Sequence, residues 1–246
     1  MAKHNRKDGR RANELRAVRI TPHFVGKADG SCLIEMGGTR VICTASFVPG
    51  VPEWRQGRGE GWLTAEYGML PASTGGRKGR SGVKPDGRAV EIQRLIGRVL
   101  RGVVDFAALG ENTLYLDCDV LEADGGTRTA AITGAQVALS LAIARAAARG
   151  QCSARAVRGL VAAVSVGMLD GRAILDLDYA EDSAAEVDMN VAMTSAGRYV
   201  EVQGTAEGKP FAGRDMDRML RLARGGIRRL VRAQREAIAR GGRKKR

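Results

Sequence analysis

Apolar residues recur at every second position over 31–36 and again over 39–47, the spacing of half-buried strands. The Gly37-Gly38 pair between these runs predicts a tight hairpin. The pattern predicts further strands over 16–21 and 61–66, and a Gly-, Arg- and Lys-rich stretch over 73–87 predicts a loop. Val90, Ile92, Leu95, Ile96, Val99, Leu100, Val103 and Val104 then follow helical spacing, which predicts an amphipathic helix over 88–105. Over 112–121 the alternation returns, with Leu114, Leu116, Cys118 and Val120 on one face and Thr113, Tyr115, Asp117 and Asp119 on the other. An Ala-rich helix follows over 127–149.

The runs 160–169 and 172–178 flank Asp170-Gly171, a type I′ hairpin signal, and 188–194 and 199–205 flank the turn 195–198. The last helix, 214–240, has an apolar stripe of Met216, Met219, Leu220, Ala223, Ile227, Leu230, Val231 and Ile238. Arg221, Arg224, Arg228, Arg232 and Arg235 fill its other face. The order β-rich, α, β, α, β-rich, α predicts an α+β chain, one compact domain over 1–240 with helices packed on mixed sheet. Residues 241–246 read as a disordered basic tail.

Composition narrows the function. The 246 residues carry 40 Lys+Arg against 27 Asp+Glu, a formal charge of +13. Counted by segment, 1–19 is +5, 214–246 is +10, and the body is −2. The excess is therefore terminal, suited either to solubility or to non-specific attraction of phosphates. The only histidines are His4 and His23, which disfavours chemistry built on a His pair and a His-rich zinc site. The four cysteines show no CxxC spacing and read as isolated core thiols. No apolar run opens the chain, so no signal peptide is expected. Thr133, Gln136 and Arg145 interrupt the apolar stretch 130–148, which reads as a buried helix rather than a membrane span. The expectation is a soluble, cytoplasmic protein without a membrane partner.

Three segments could carry chemistry. Asp124-Gly125-Gly126-Thr127-Arg128-Thr129 follows a strand and opens a helix. Its glycines permit close backbone approach, the helix amides attract anions, Thr127 adds a hydroxyl and Arg128 a guanidinium fork. The plainer reading is a strand-to-helix turn with a solvent-facing arginine. Arg88, behind Pro85-Asp86-Gly87, puts a cation at another helix N-terminus, where the dipole disfavours it unless an anion binds. The third segment, 170–188, packs seven acids into nineteen residues. It is either a loop paired with arginines elsewhere or a magnesium site beside substrate phosphates. Asp117 and Asp119 share a strand face and could ligate metal or, the favoured reading, hold arginine side chains. Only ten aromatic residues are present, so no base-stacking platform is evident.

Longer blocks carry a more specific pattern. They include Asp8-Gly9-Arg10-Arg11 and Gly61-Trp62-Leu63-Thr64-Ala65-Glu66-Tyr67-Gly68-Met69-Leu70-Pro71. Gly87-Arg88, Asp117-Cys118-Asp119-Val120-Leu121 and Ala123-Asp124-Gly125-Gly126-Thr127-Arg128-Thr129 follow. Glu181-Asp182-Ser183-Ala184-Ala185-Glu186, Asp188-Met189-Asn190 and Val202-Gln203-Gly204-Thr205-Ala206-Glu207-Gly208 complete the series. Nearly end to end, the chain resembles the ribonuclease PH family, bacterial phosphate-dependent 3′-exoribonucleases (tRNA nucleotidyltransferases) that trim tRNA precursors.

The resemblance implies a βαβα-type core and a homo-hexameric ring, a trimer of dimers. It implies inorganic phosphate as co-substrate, bound at Arg88, Gly126, Thr127 and Arg128. It implies magnesium or manganese and catalysis at Asp182 and Asp188, and RNA handling at Arg77 and Arg80. The implied activity is phosphorolysis, which releases nucleoside 5′-diphosphates and runs backwards at low phosphate. Rival readings are a non-catalytic RNA-binding ring subunit of an exosome-like assembly and a hydrolytic, metal-dependent nuclease.

Overall fold

The structure is a computed structural model, and the residues it describes are 6–77, 79 and 86–243. Two sheets share one hydrophobic core that runs from Ile20 to Ala237. The first comprises β1 (Val18–Pro22), β2 (Gly30–Met36), β3 (Thr39–Pro49), β4 (Trp62–Met69) and β5 (Asn112–Glu122), in the order β1-β2-β3-β5-β4. All pairings are antiparallel except β4 with β5, which are connected through α1 (Gly87–Arg101) and the short α2 (Phe106–Leu109). The second comprises β6 (Val161–Leu169), β7 (Arg172–Leu175), β8 (Val187–Thr194) and β9 (Tyr199–Ala206), antiparallel in the order β7-β6-β8-β9. The mixed α+β class is as the sequence predicts.

Helix α3 (Thr127–Ala148) packs on β2 and β3 of one sheet and on β6 of the other. Its composition explains this. Small residues dominate, and a Cβ on Gly134 would lie 2.7 Å from Cys43 Sγ, so the helix can seat tightly on the strands. Among the described residues it alone is long and apolar enough to cross a membrane, and it is buried in the core. Cys32, Cys43 and Cys118 are paired across β2, β3 and β5 beneath it as free, buried thiols. Helix α5 (Gly213–Arg243) lays Met219, Ala223, Ile227, Leu230 and Val231 on the core. Buried Gln234 ties it to Thr133 O and Val161 O at 2.9 and 2.8 Å.

The elements depart from expectation in three places. The helix expected over 88–105 ends at Arg101, and Asp105 caps α2 by accepting from Ala108 N. The strand expected over 172–178 stops at Leu175, because Asp176 turns out of it at φ 56°. The acidic stretch beyond forms α4 (Tyr179–Ala184), started by a capping box between Asp178 and Glu181. The expected boundary at residue 240 falls inside α5. Residues 241–243 are helical rather than a disordered tail, with His23 Nε2 2.9 Å from Gly241 O, and 244–246 lie outside the described residues.

Candidate active site

The loop between β5 and α3 is pinned from three directions. Thr39 Oγ1 donates to Gly125 O at 2.7 Å and accepts from Asp124 N at 2.9 Å. Arg16 donates to Asp124 O, and Tyr179 N donates to Asp124 Oδ1 at 3.3 Å. Gly125 and Gly126 both adopt left-handed backbone, at φ 72° and 65°. A Cβ on Gly125 would lie 2.6–2.8 Å from the backbone of Leu177, Asp178 and Tyr179. Glycine here therefore lets the acidic segment close against the start of α3. Gly126 is the N-cap of that 22-residue helix, and no side chain caps its first turn. Its amides and dipole remain available to an anion.

Cations converge on the same place. One cleft of about 510 Å³ is lined by Arg88, Gly126, Thr127, Arg128, Asp182 and Asp188, together with Thr74, Gly75, Gly76, Ser165, Tyr179 and Asn190. Arg88 stands in the first turn of α1, where its amide donates to the N-cap Asp86, and its side chain is exposed without an ion pair among the described residues. Arg128 is held by Gln203 Oε1 at 3.5 Å and Glu91 Oε1 at 3.9 Å, and Gln203 itself donates to Glu91 at 3.1 Å. Tyr67 donates its hydroxyl to Thr127 Oγ1 at 2.8 Å. Burial pushes the Tyr67 phenol up, against the Thr127 bond and the fields of Arg88 and Arg128. Arg77, expected to handle RNA, is exposed just beyond the cleft-lining Gly76, and Arg80 lies outside the described residues.

The acidic run divides into two jobs. Asp176 is fully buried and takes Arg16, with the Arg16 amide at 2.7 Å, Nε at 3.2 Å and Nη2 at 2.7 Å. Burial disfavours the Arg16 charge, but Asp176 together with Asp124 and Asp178 outweighs it and holds the guanidinium above its ordinary pKa. Glu181 takes Arg6, with Nε at 2.6 Å and Nη2 at 2.5 Å. These acids are neutralised by the basic N-terminal segment and shape the site without facing it.

Asp182 and Asp188 face the cleft. Burial raises the Asp182 carboxyl against the opposing fields of Arg128, Arg88 and Arg16, and Glu207 adds to the rise. Burial and then the charge of Asp182 push Asp188 up to about 6, against Arg128 and a 3.4 Å bond from Asn190 Nδ2. Asp188 Oδ1 is buried without a hydrogen-bond partner. Two half-buried carboxylates, one with an orphaned oxygen, suit a hard divalent cation that also takes phosphate oxygens and water. Among the described residues no cluster of three or more His, Cys, Asp or Glu could hold a metal on protein ligands alone.

The reading of Asp117 and Asp119 as arginine holders needs correction. Thr44 Oγ1 donates to Asp117 at 3.2 Å, and no arginine pairs with either acid among the described residues. The neighbouring strands place Thr44 beside Asp117, and Glu66 and Gly68 beside Asp117 and Asp119, so no guanidinium is at hand. Tyr67, Asn190 and Gln203 stand in the motif blocks without a role assigned to them there, and Ser165 and Glu91 carry no sequence signal of their own. Asn190 was findable, because it stands two residues from Asp188 on one strand face. Gln203 follows from it as its register partner on β9.

A family model described as the 3′ exoribonuclease family, domain 1, matches residues 14–144. A second, described as domain 2 of the same family, matches residues 159–226. Among solved structures, the fold is similar to rice (Oryza sativa) Rrp46, with TM-score 0.77 and 19% identity, covering 95% of this chain and 100% of that one. It is similar to the Archaeoglobus fulgidus exosome with RNA bound to the active site, with TM-score 0.78 and 23% identity, covering 92% and 91%. An archaeal exosome core matches with TM-score 0.74 and 22% identity, covering 94% and 91%. Identities this low speak to the fold alone; the two family matches together span most of the sequence, and the chain belongs to the 3′ exoribonuclease (RNase PH) family.

Proposed function

We propose that the chain is a phosphorolytic 3′-to-5′ exoribonuclease that trims the 3′ ends of tRNA precursors and other structured RNA. One observation carries this reading: an anion cradle and a destabilised carboxylate pair open into one cleft. Arg88, Arg128, Thr127 and the amides of α3 hold inorganic phosphate. They offset its repulsion from the RNA phosphodiester and align it for attack. A phosphate oxygen bonds to phosphorus as the bond to the 3′-oxygen breaks. Asp182, which faces the cleft, relays a proton from solvent to that oxygen. The products are a nucleoside 5′-diphosphate and an RNA one nucleotide shorter.

Asp182 and Asp188 are the residues that would hold magnesium or manganese, which when bound neutralises charge on phosphate oxygens. No side-chain nucleophile is required, consistent with a chain whose two histidines lie at positions 4 and 23. The proposed assembly is a cytoplasmic ring of six copies.

A second reading, an RNA-binding ring subunit without catalysis, is favoured by the likeness to exosome chains at least as strongly as the enzymatic one. The cleft supports the enzymatic reading. A purely structural subunit has no use for a half-buried carboxylate with an unpartnered oxygen, a feature that lowers stability. A tRNA precursor incubated with magnesium, with and without phosphate, separates the readings. Nucleoside diphosphates formed only with phosphate support the proposal. Monophosphates indicate hydrolysis, and binding without cleavage indicates the structural subunit.

A further inference from the structure

The charge on α5 is left unused by the cleft. From Arg218 to Arg235 the helix carries seven arginines and no acid. Arg221, Arg224, Arg228, Arg229, Arg232 and Arg235 are all exposed. Arg224 Nε donates to Tyr199 Oη at 2.8 Å, a neutral partner that orients the guanidinium without cancelling it, and Arg229 Nη2 donates to Asn13 O at 2.5 Å while its charge also acts on Glu14. Arg221, Arg228, Arg232 and Arg235 have no acidic partner among the described residues. An anion docked along such a stripe relieves its self-repulsion.

The shape around the stripe is specific. Arg228 and Arg232 form a ridge between two grooves. One, of about 600 Å³, lies toward Asn13, Arg221 and Gly225. The other, of about 620 Å³, lies toward the β8–β9 turn, where Thr194 and Ser195 line it. From Arg221 to Arg235 the helix rises about 21 Å, and one strand of a nucleic-acid duplex presents a phosphate about every 3.4 Å of axis. Leu222, Met193, Ile227 and Val231 line the groove walls and Tyr199 lies under Arg224, but the exposed edge is a row of guanidinium groups bordered by hydroxyls, which matches a phosphate backbone.

The surface is separate from the cleft. Asp188 and Asn190 sit at one end of β8 and Thr194 at the other, six residues or about 20 Å along the strand, the length of about six base pairs.

We propose that the arginine face of α5 is a second RNA site, which holds the phosphate backbone of a structured RNA remote from the 3′ end in the cleft. The site confers a preference for long or folded RNA over short oligomers. It rests on RNA being the substrate class, as argued above, but not on catalysis.

The test is direct binding of the full chain to a fluorescent RNA hairpin of about twelve base pairs with a short 3′ overhang, in chelator and without phosphate, so that nothing turns over. Three combined changes, R221A, R228A and R232A, should weaken binding about 10- to 100-fold at moderate salt. They should also lower the slope of log affinity against log salt by about 2 to 3. The corresponding triple Lys variant should keep the affinity within about threefold and the slope within about 1. An unchanged affinity and slope in the Ala variant overturns the proposal. So does a loss of binding that tracks a change in oligomeric mass, which makes α5 a contact between copies. Loss of binding to phosphatidylserine vesicles with RNA binding intact also overturns it. Failure of phosphorolysis in the product assay leaves this result readable, because only binding is scored.

Discussion

Replacing Asp188 with Asn should make the protein more stable near neutral pH while removing its activity. The folded protein holds the Asp188 carboxyl at about 6 against an ordinary value of 3.8, through burial first and the charge of Asp182 second. That difference of about two units corresponds to roughly 3 kcal/mol at about 1.4 kcal/mol per unit. The sign follows from proton uptake: between about pH 4 and 6 the folded state binds a proton that the unfolded state has released. Stability therefore falls as pH rises through that window, and the full cost persists above it.

Asn keeps the shape of the side chain and can still accept from Asn190, but its amide group, placed beside Asp182, gives back only part of the difference. A gain of about 1–2 kcal/mol near pH 7.5, shrinking toward zero near pH 4, is the expected outcome. Urea unfolding of both proteins with chelator at fixed protomer concentration measures it at the two pH values. Equal stability near pH 7.5, or a gain independent of pH, refutes the reasoning that the site stores an uncompensated charge. Stability held in reserve in this way is a signature of functional sites.

Other substitutions separate the roles of neighbouring residues. Arg128→Ala should abolish phosphorolysis while leaving RNA affinity within a few-fold, as read by product analysis alongside RNA binding; an equal fall in binding would reassign the residue. Tyr67→Phe removes the hydroxyl that steadies Thr127, so the apparent KM for phosphate should rise several-fold, with the unfolding free energy from urea titration changing by no more than about 1 kcal/mol. Asp176→Asn leaves the buried Arg16 without its counter-charge and should lower stability by about 3 kcal/mol, measured by urea unfolding; a neutral result would show that Arg16 is satisfied by the carbonyls of Asp124 and Gly125 alone.

The strands and their hairpins were legible because each has one buried face and therefore a period of two. The Gly125-Gly126 turn was legible because only glycine tolerates its backbone against Leu177 and Asp178. Arg88 and Arg128 could be nominated as a convergent pair, since each stands at a predicted helix start. The acidic run resisted reading. Charge density alone does not reveal that Asp176 and Glu181 are consumed by Arg16 and Arg6, 160 and 175 residues away in sequence, while Asp182 and Asp188 remain for the cleft. Helix α4 was hidden for the same reason, its capping box embedded among acids that resemble a solvated loop. The links from Tyr67 to Thr127 and from Glu91 through Gln203 to Arg128 are long-range pairings with no local pattern.

The proposed nucleophile is inorganic phosphate, seated between Arg88 and Arg128. Isotopically labelled inorganic phosphate, supplied with magnesium and an unlabelled RNA, tests this when the label is followed into the released nucleotide. Phosphorolysis places label in the β-phosphate of nucleoside 5′-diphosphates, one per nucleotide removed. Unlabelled nucleoside monophosphates, or intact RNA bound without turnover, would contradict it.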